Sequence, residues 1–376
     1  MKLLLLKSII VVSVICFTLS SANYIKAQQS NAPVLTEETL EAKITTIISE
    51  KEIVIMDKKQ LQQEVELLIT KGSLKGKTIT VISGDLPMAN IQKYNTGDQV
   101  TVSYSKNPDG SETIYITDYI RRRSLLILFG IFIIITLLIT KWQGLTSLIG
   151  MFMSFAVIFT FILPKISAGK DPVTTAITGS LFIIPVTFYL SHGLNKKTTV
   201  AVISTIISLI ITGILAAVFI ETAKLTGFSS EEASFLQVIN PGMIHMKGLL
   251  LAGIIIGSLG IFDDITISQA AIVFELKKAN HSLNIGQLYM KAMNVGKDHI
   301  SSLVNTLVLV YAGAATPLLL LFMNNSKSFS EVVNYEIIAE EMVRTMVGSI
   351  GLILAVPITT ILASFILGSS SGKNCS

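Results

Sequence analysis

From Gly248 to Phe274 the chain is almost unbroken apolar sequence, and comparable runs lie near residues 124–140, 145–163, 173–191, 199–220, 301–323 and 345–368. Runs of about 18 apolar residues are what a membrane-crossing helix requires. The pattern therefore predicts about seven transmembrane helices within residues 121–368. Upstream, the period changes to two. Val65, Leu67 and Ile69 alternate, as do Ile79 and Val81, then Val100, Val102 and Tyr104, then Ile114 and Ile116. Alternation of this kind marks half-buried strands. Asn95-Thr96-Gly97-Asp98 and Asn107-Pro108-Asp109-Gly110 are turn sequences, the second placed as a hairpin. Five or six short strands between residues 30 and 120 predict a small barrel of OB or SH3-like type. The expected fold class is a membrane all-α bundle carrying a small N-terminal all-β domain.

The N-terminus adds a direction. Lys2 and Lys7 flank the start of an apolar stretch, Ile9 to Leu19, and Ser20-Ser21-Ala22 supplies small residues. Residues 1–22 thus read either as a signal peptide cleaved after Ala22 or as an uncleaved anchor. Either exports residues 30–120 and leaves the short tail, 369–376, in the cytoplasm. Ile15 is too bulky for a lipobox before Cys16, which argues against a lipoprotein. Loop lysines give modest support, since cytoplasmic loops favour Lys and Arg. Lys141, Lys196, Lys197, Lys277, Lys278, Lys291 and Lys297 fall inside, against Lys165, Lys170, Lys224, Lys247 and Lys327 outside. Arg121-Arg122-Arg123, just outside the first span, oppose the assignment.

Composition agrees with the pattern. Of 376 residues, 51% are hydrophobic and only 14% charged, with a mean hydropathy of +0.66. A net charge of +4 is small and dispersed, with no nucleic-acid footprint. Cys16 and Cys375 give neither a disulfide framework nor a metal-type spacing, and no cofactor motif is present. The β-rich segment holds no His, no Cys and no catalytic constellation, so it reads as a binding or scaffolding module.

The candidate chemistry lies in the membrane segment. Asp263 and Asp264 sit between the middle and the inner third of the long apolar run. A carboxylate there costs about 2.5–3.5 kcal/mol on insertion scales, which makes it a functional candidate by default. Gly253, Gly257, Gly260 and Asp264 follow i, i+4, i+7, i+11, and Ser268 extends the same face. Glycine faces permit close helix approach, so Asp264 is expected in a protein interface, with Asp263 about 100° away. The alternative is an acid pair at a helix break that reaches headgroup water. A second polar line, Asp298, Ser301 and Asn305, follows i, i+3, i+7 at the start of the next span. Lys297, His299 and Arg344 are candidate countercharges, and Asp298 alternatively serves only the helix dipole. Thr316-Pro317 and Pro357 mark kinks or breaks inside spans. Asn240-Pro241-Gly242 with His245 is a loop or a re-entrant turn.

The run Gly257-Ser258-Leu259-Gly260-Ile261-Phe262-Asp263-Asp264, followed by Ser268-Gln269-Ala270-Ala271, resembles the YibE/YibF-like family of bacterial membrane proteins. So does Asn294-Val295-Gly296-Lys297-Asp298-His299-Ile300, leading into Asn305-Thr306-Leu307, Tyr311-Ala312-Gly313 and Pro317. The resemblance covers residues 121–368, and the exported domain is similar to that of the longer, YibE-type member. It implies a bacterial plasma membrane and a sister membrane protein as partner, and it brings no established activity. Three functions follow as expectations. The first is a permease in which the carboxylates carry a proton or cation, with Asp264 as carrier and Asn305 as a substrate-side partner. The second is a non-catalytic assembly or sensing protein. The third, an intramembrane aspartyl enzyme using Asp264 and Asp298, lacks the Gly-x-Gly-Asp signature, so no enzyme is expected.

Overall fold

Leu40, Ala42 and Ile44 alternate inward along the first strand, and its pairing partners complete a core with Val65, Leu67, Ile69, Val81, Val100 and Val102. The computed structural model describes residues 37–55, 58–85, 92–106, 111–239, 241–323 and 328–368. The expected signal segment, the 107–110 turn, Asn240, Lys327 and the C-terminal tail lie outside them. The chain divides into two units, with one boundary between Ile135 and Thr136.

In the first unit the strands are β1 (Glu37–Ile55), β2 (Lys58–Lys71), β3 (Thr78–Ser83), β4 (Gln99–Lys106) and β5 (Glu112–Tyr119). They form one antiparallel sheet in the order β3-β2-β1-β4-β5. β3 and β5, at the two ends of that order, touch without forming a ladder, so the sheet curls around its core. β1 is not short. Its 19 residues pair with β4 through Glu37–Lys43 and with β2 from Glu41 onward. Register shifts at Glu41/Ala42, Ile44/Thr46 and Ile47/Ser49 let it turn the corner, and the same shifts break the simple alternation. The Gln63 side chain works as an extra strand residue. Its amide accepts from the Tyr94 N–H at 2.8 Å and donates to the Tyr94 carbonyl at 3.1 Å. Arg121 pairs with Asp118 at 2.6 Å and Arg122 with Glu41 at 3.1 Å.

The helices are α1 (Arg122–Val157), running through a π turn at Ile158–Ile162 into α2 (Leu163–Ser167), then α3 (Pro172–His192), α4 (Lys196–Thr222), α5 (Glu231–Ile239), α6 (Met246–Ala279), α7 (Ile285–Ala314), α8 (Thr316–Met323), α9 (Phe329–Val333) and α10 (Glu336–Gly368). Among the described residues, five helical stretches are long and apolar enough to cross a membrane, or six with the bent α7–α8 pair. The two spans expected near 124–140 and 145–163 form one stretch of 46 residues. At about 1.5 Å per residue this exceeds twice a hydrocarbon thickness of about 30 Å. The stretch breaks at Lys141, whose φ of 50° and ψ of −125° are not helical. α7 and α8 meet at 67°, where Pro317 follows the break. Among the described residues, none of the most apolar window of the first stretch is buried, a surface suited to lipid.

α6 is the hub of the second unit, in contact with α3, α4, α7 and α10. Ile255, Phe262, Ile265 and Val273 of α6 meet Phe188, Leu209, Leu352 and Val356 in its main core. Small residues set the approach distances. A side chain at Gly351 would run into Phe262 and Thr212, and one at Gly179 into Ile162. Buried hydroxyls join the helices as well: Thr205 and Thr266 are 2.8 Å apart. Gln269, fully buried, donates to the Ala292 carbonyl at 3.1 Å and to Thr360 Oγ1 at 2.8 Å. The loop after α4 is clamped by α10. Glu336 accepts from the amides of Thr226 and Gly227 and from the Thr226 hydroxyl, and Glu340 accepts from Ser229 Oγ at 2.5 Å. Gly227 carries φ +81°, and its missing Cβ would lie 2.6 Å from the Met246 carbonyl, so glycine is required there.

Candidate functional site

Asp263 lies near the middle of α6 and faces a cleft of about 250 Å³ between α1, α3 and α6. The polar groups around it are hydroxyls: Ser147 and Ser154 from α1, Thr187 and Ser191 from α3. Helical periodicity puts each pair on one face, Ser147 and Ser154 at i, i+7 with Gly150 between them, Thr187 and Ser191 at i, i+4. α1 runs close to α3 at Gly150, where a Cβ would stand in ordinary contact, 3.6 Å from Ser191 Oγ and 3.7 Å from Thr187 Cα.

The hydrogen bonding at the cleft is lopsided. Ser154 donates its proton to the Gly150 carbonyl at 3.1 Å, and Thr187 donates to Ile183 O at 3.0 Å or Ile184 O at 3.1 Å. Their oxygens keep lone pairs for the cleft. Asp263 Oδ1 is buried without a hydrogen-bond partner among the described residues. Among the described residues, no Lys, Arg or His forms an ion pair with it. A carboxylate oxygen buried in that state is expensive. The Ser154 and Thr187 oxygens can accept positive charge, and the Asp263 carboxylate repels an anion.

The other predicted residues lie elsewhere. Gly253, Gly257, Gly260 and Asp264 share a face as expected, but that face is exposed, and a Cβ at any of the three glycines would meet nothing within 4 Å. Among the described residues none covers the face around Asp264, because α3, α4, α7 and α10 occupy the other sides of α6. Ser268, at the edge of that face, is half-buried. Asp298, Ser301 and Asn305 are exposed and lie across α7 from Leu288, Ala292 and Gly296, its packing side. No hydrogen bond or ion pair among the described residues joins the two polar lines; Ser301 donates to its own helix, at Lys297 O. Arg344 is taken by Glu341 at 2.5 Å and so does not serve as countercharge to either aspartate. Lys297 is exposed and His299 half-buried, and neither is in an ion pair with Asp263 or Asp264. The four hydroxyl residues of the cleft were not among the predicted site residues. Their helical spacing is visible in the sequence, but Ser and Thr in apolar helices commonly bond back to their own carbonyls, which makes the signal weak.

The family model described as YibE/F-like protein matches residues 128–369, more than half of the chain. The chain belongs to the YibE/F-like protein family. The matched region of this YibE/F-like protein starts within α1 and includes the whole cleft, the open glycine face and the polar line of α7. It includes none of the β strands. No curated protein matches the chain. No solved structure matches it either.

Proposed function

We propose that this YibE/F-like protein is a permease of the bacterial plasma membrane, with Asp263 as its proton- or cation-carrying group. One observation carries the reading: an unpartnered carboxylate oxygen held in a hydroxyl-lined cleft in the middle of an apolar helix. Intramembrane acids in such settings mark ion and proton paths. The burial of Asp263 beside an exposed Asp264 supports Asp263 rather than Asp264 as the carrier in this reading. The reading assigns no catalytic step. The β-rich unit is extracellular in this scheme and the C-terminus cytoplasmic. Arg121 and Arg122, which oppose that orientation by position, sit in ion pairs with Asp118 and Glu41, so their charge is locally balanced. Electrogenic uptake into proteoliposomes tests the idea. Asp263→Asn should abolish flux with folding intact, and Asp264→Asn should retain most of it. Full flux in Asp263→Asn would remove the reading.

A second reading, assembly with a sister membrane protein, rests on the open face of α6. An exposed Asp264 on a glycine stripe is poorly suited to lipid and well suited to a neighbouring helix. Co-purification of a second polytopic protein that is lost on Gly257→Leu supports it; unchanged recovery sinks it.

A further inference from the structure

We infer that the Asp263 cleft binds a partly hydrated monovalent alkali-metal cation. The inference rests on the permease reading and names the ion that the site takes.

Charge sets the valence. The cleft is lined by a single carboxylate; Asp264, its neighbour in the chain, lies on the exposed face of α6 where solvent screens it, and no basic side chain pairs with Asp263 among the described residues. One bound positive charge neutralises it. A divalent ion would leave an uncompensated charge inside an apolar bundle, where charge is costly. Ligand chemistry sets the class. The polar lining is oxygen throughout: Asp263 with Ser147, Ser154, Thr187 and Ser191. Hard cations prefer such ligands. Proton bookkeeping then separates a metal ion from other guests. Ser154 and Thr187 have already spent their protons on backbone carbonyls of their own helices. They present acceptors to the cleft, which suits a cation, and the Asp263 carboxylate repels an anion. A site for a bare proton needs only the carboxylate and gains nothing from two helices that offer lone pairs. Size is compatible: about 250 Å³ is several times the volume of one water, of about 30 Å³. An ion fits there with part of its hydration shell.

The test uses the purified full-length protein and alkali chlorides, with choline chloride holding ionic strength constant at fixed pH. Sodium, lithium and potassium are titrated separately while the thermal midpoint is followed, with magnesium and calcium as divalent comparators. Wild type and Asp264→Asn should show saturable stabilisation by at least one alkali ion, as ligand linkage requires. Asp263→Asn should show none. Thr187→Val keeps the side-chain shape and removes one oxygen; with Ser154→Ala it should weaken apparent affinity by about tenfold or more. These two variants carry the test should Asp263→Asn fail to fold. An alkali effect that is absent from wild type, or that survives unchanged in Ser154→Ala and Thr187→Val, overturns the inference. Flux measured in parallel separates the two levels. Asp263-dependent flux driven by a proton gradient and indifferent to alkali ions leaves the permease reading standing and removes this one. Flux indifferent to Asp263→Asn removes both.

Discussion

Replacing Gly351 by alanine would put a methyl group 2.1 Å from Thr212 Oγ1 and 2.7 Å from Phe262 Cζ. Both neighbours are fully buried, so neither can swing into solvent. Overpacking of this kind costs about 1–3 kcal/mol. Alanine returns about 1 kcal/mol through its better helix propensity. Gly351→Ala should therefore destabilise by roughly 0–2 kcal/mol. Gly257→Ala is the control, because its new Cβ meets nothing within 4 Å and only the propensity gain remains. The two variants should differ by about 1–3 kcal/mol, at about 2–4 °C per kcal/mol for a unit of this size. The assay is thermal unfolding in detergent, scored by the fraction remaining monodisperse on size exclusion. Equal midpoints for the two variants would refute the assignment of a packed face and an open face. The clash also has a specific partner. Thr212→Ala introduced into Gly351→Ala should restore part of the loss, and a strictly additive double-mutant cycle would show that Thr212 is not what the methyl group meets.

Other elements give independent tests. Gln269→Leu removes donors to the Ala292 carbonyl and Thr360 Oγ1 and should cost about 1–3 kcal/mol, read as a lower midpoint; an unchanged midpoint contradicts the node. Glu336→Ala frees the amides of Thr226 and Gly227, so hydrogen exchange should accelerate there while α4 and α6 keep their protection. The β-rich unit should lose stability in acid. Hydrogen bonds from Ser73 to Glu38, from Arg122 and Lys71 to Glu41, from Lys93 to Glu50 and from Arg121 to Asp118 hold these carboxyls below their ordinary values of 4.5 for Glu and 3.8 for Asp. A folded-state value below the unfolded one gives stability that is complete above the ordinary value and lost as pH falls through the depressed one. Protection of Leu40–Ile44 against exchange, corrected for intrinsic rates, should hold steady above about pH 5 and decline towards about pH 3; a rise in acid would contradict the pairings.

The two periodicities carried most of the architecture. Val65, Leu67, Ile69, Val100 and Val102, picked out by alternation, are buried at 0–1% exposure. β1 was harder to read because its register shifts move successive apolar residues off strict alternation. The membrane stretches were legible from apolar length, and so were two of their breaks: the split expected between residues 140 and 145 falls at Lys141, and the kink expected at Thr316-Pro317 is the 67° bend. The site was half legible. An intramembrane acid pair announces itself by cost, whereas the choice between Asp263 and Asp264 depends on which neighbours surround α6. Helical phase separates the two side chains by about 100° but cannot say which direction is inward. That information resides in the packing of α1 and α3, far away in sequence.

The π turn at Ile158–Ile162 gives chain length itself a role. It follows the Ser147–Ser154 face and ends on Ile162, whose side chain fills the notch left by Gly179. A π turn is a local surplus of chain within an α-helix. Deleting one residue there would remove the surplus and close a regular α-helical turn, leaving the Ser147–Ser154 face before it and α2 after it in about their present phase. The segment between Ser154 and Leu163 is thus where the chain could absorb a one-residue deletion, whereas the identities of Phe161 and Ile162, buried within it, are held by their neighbours.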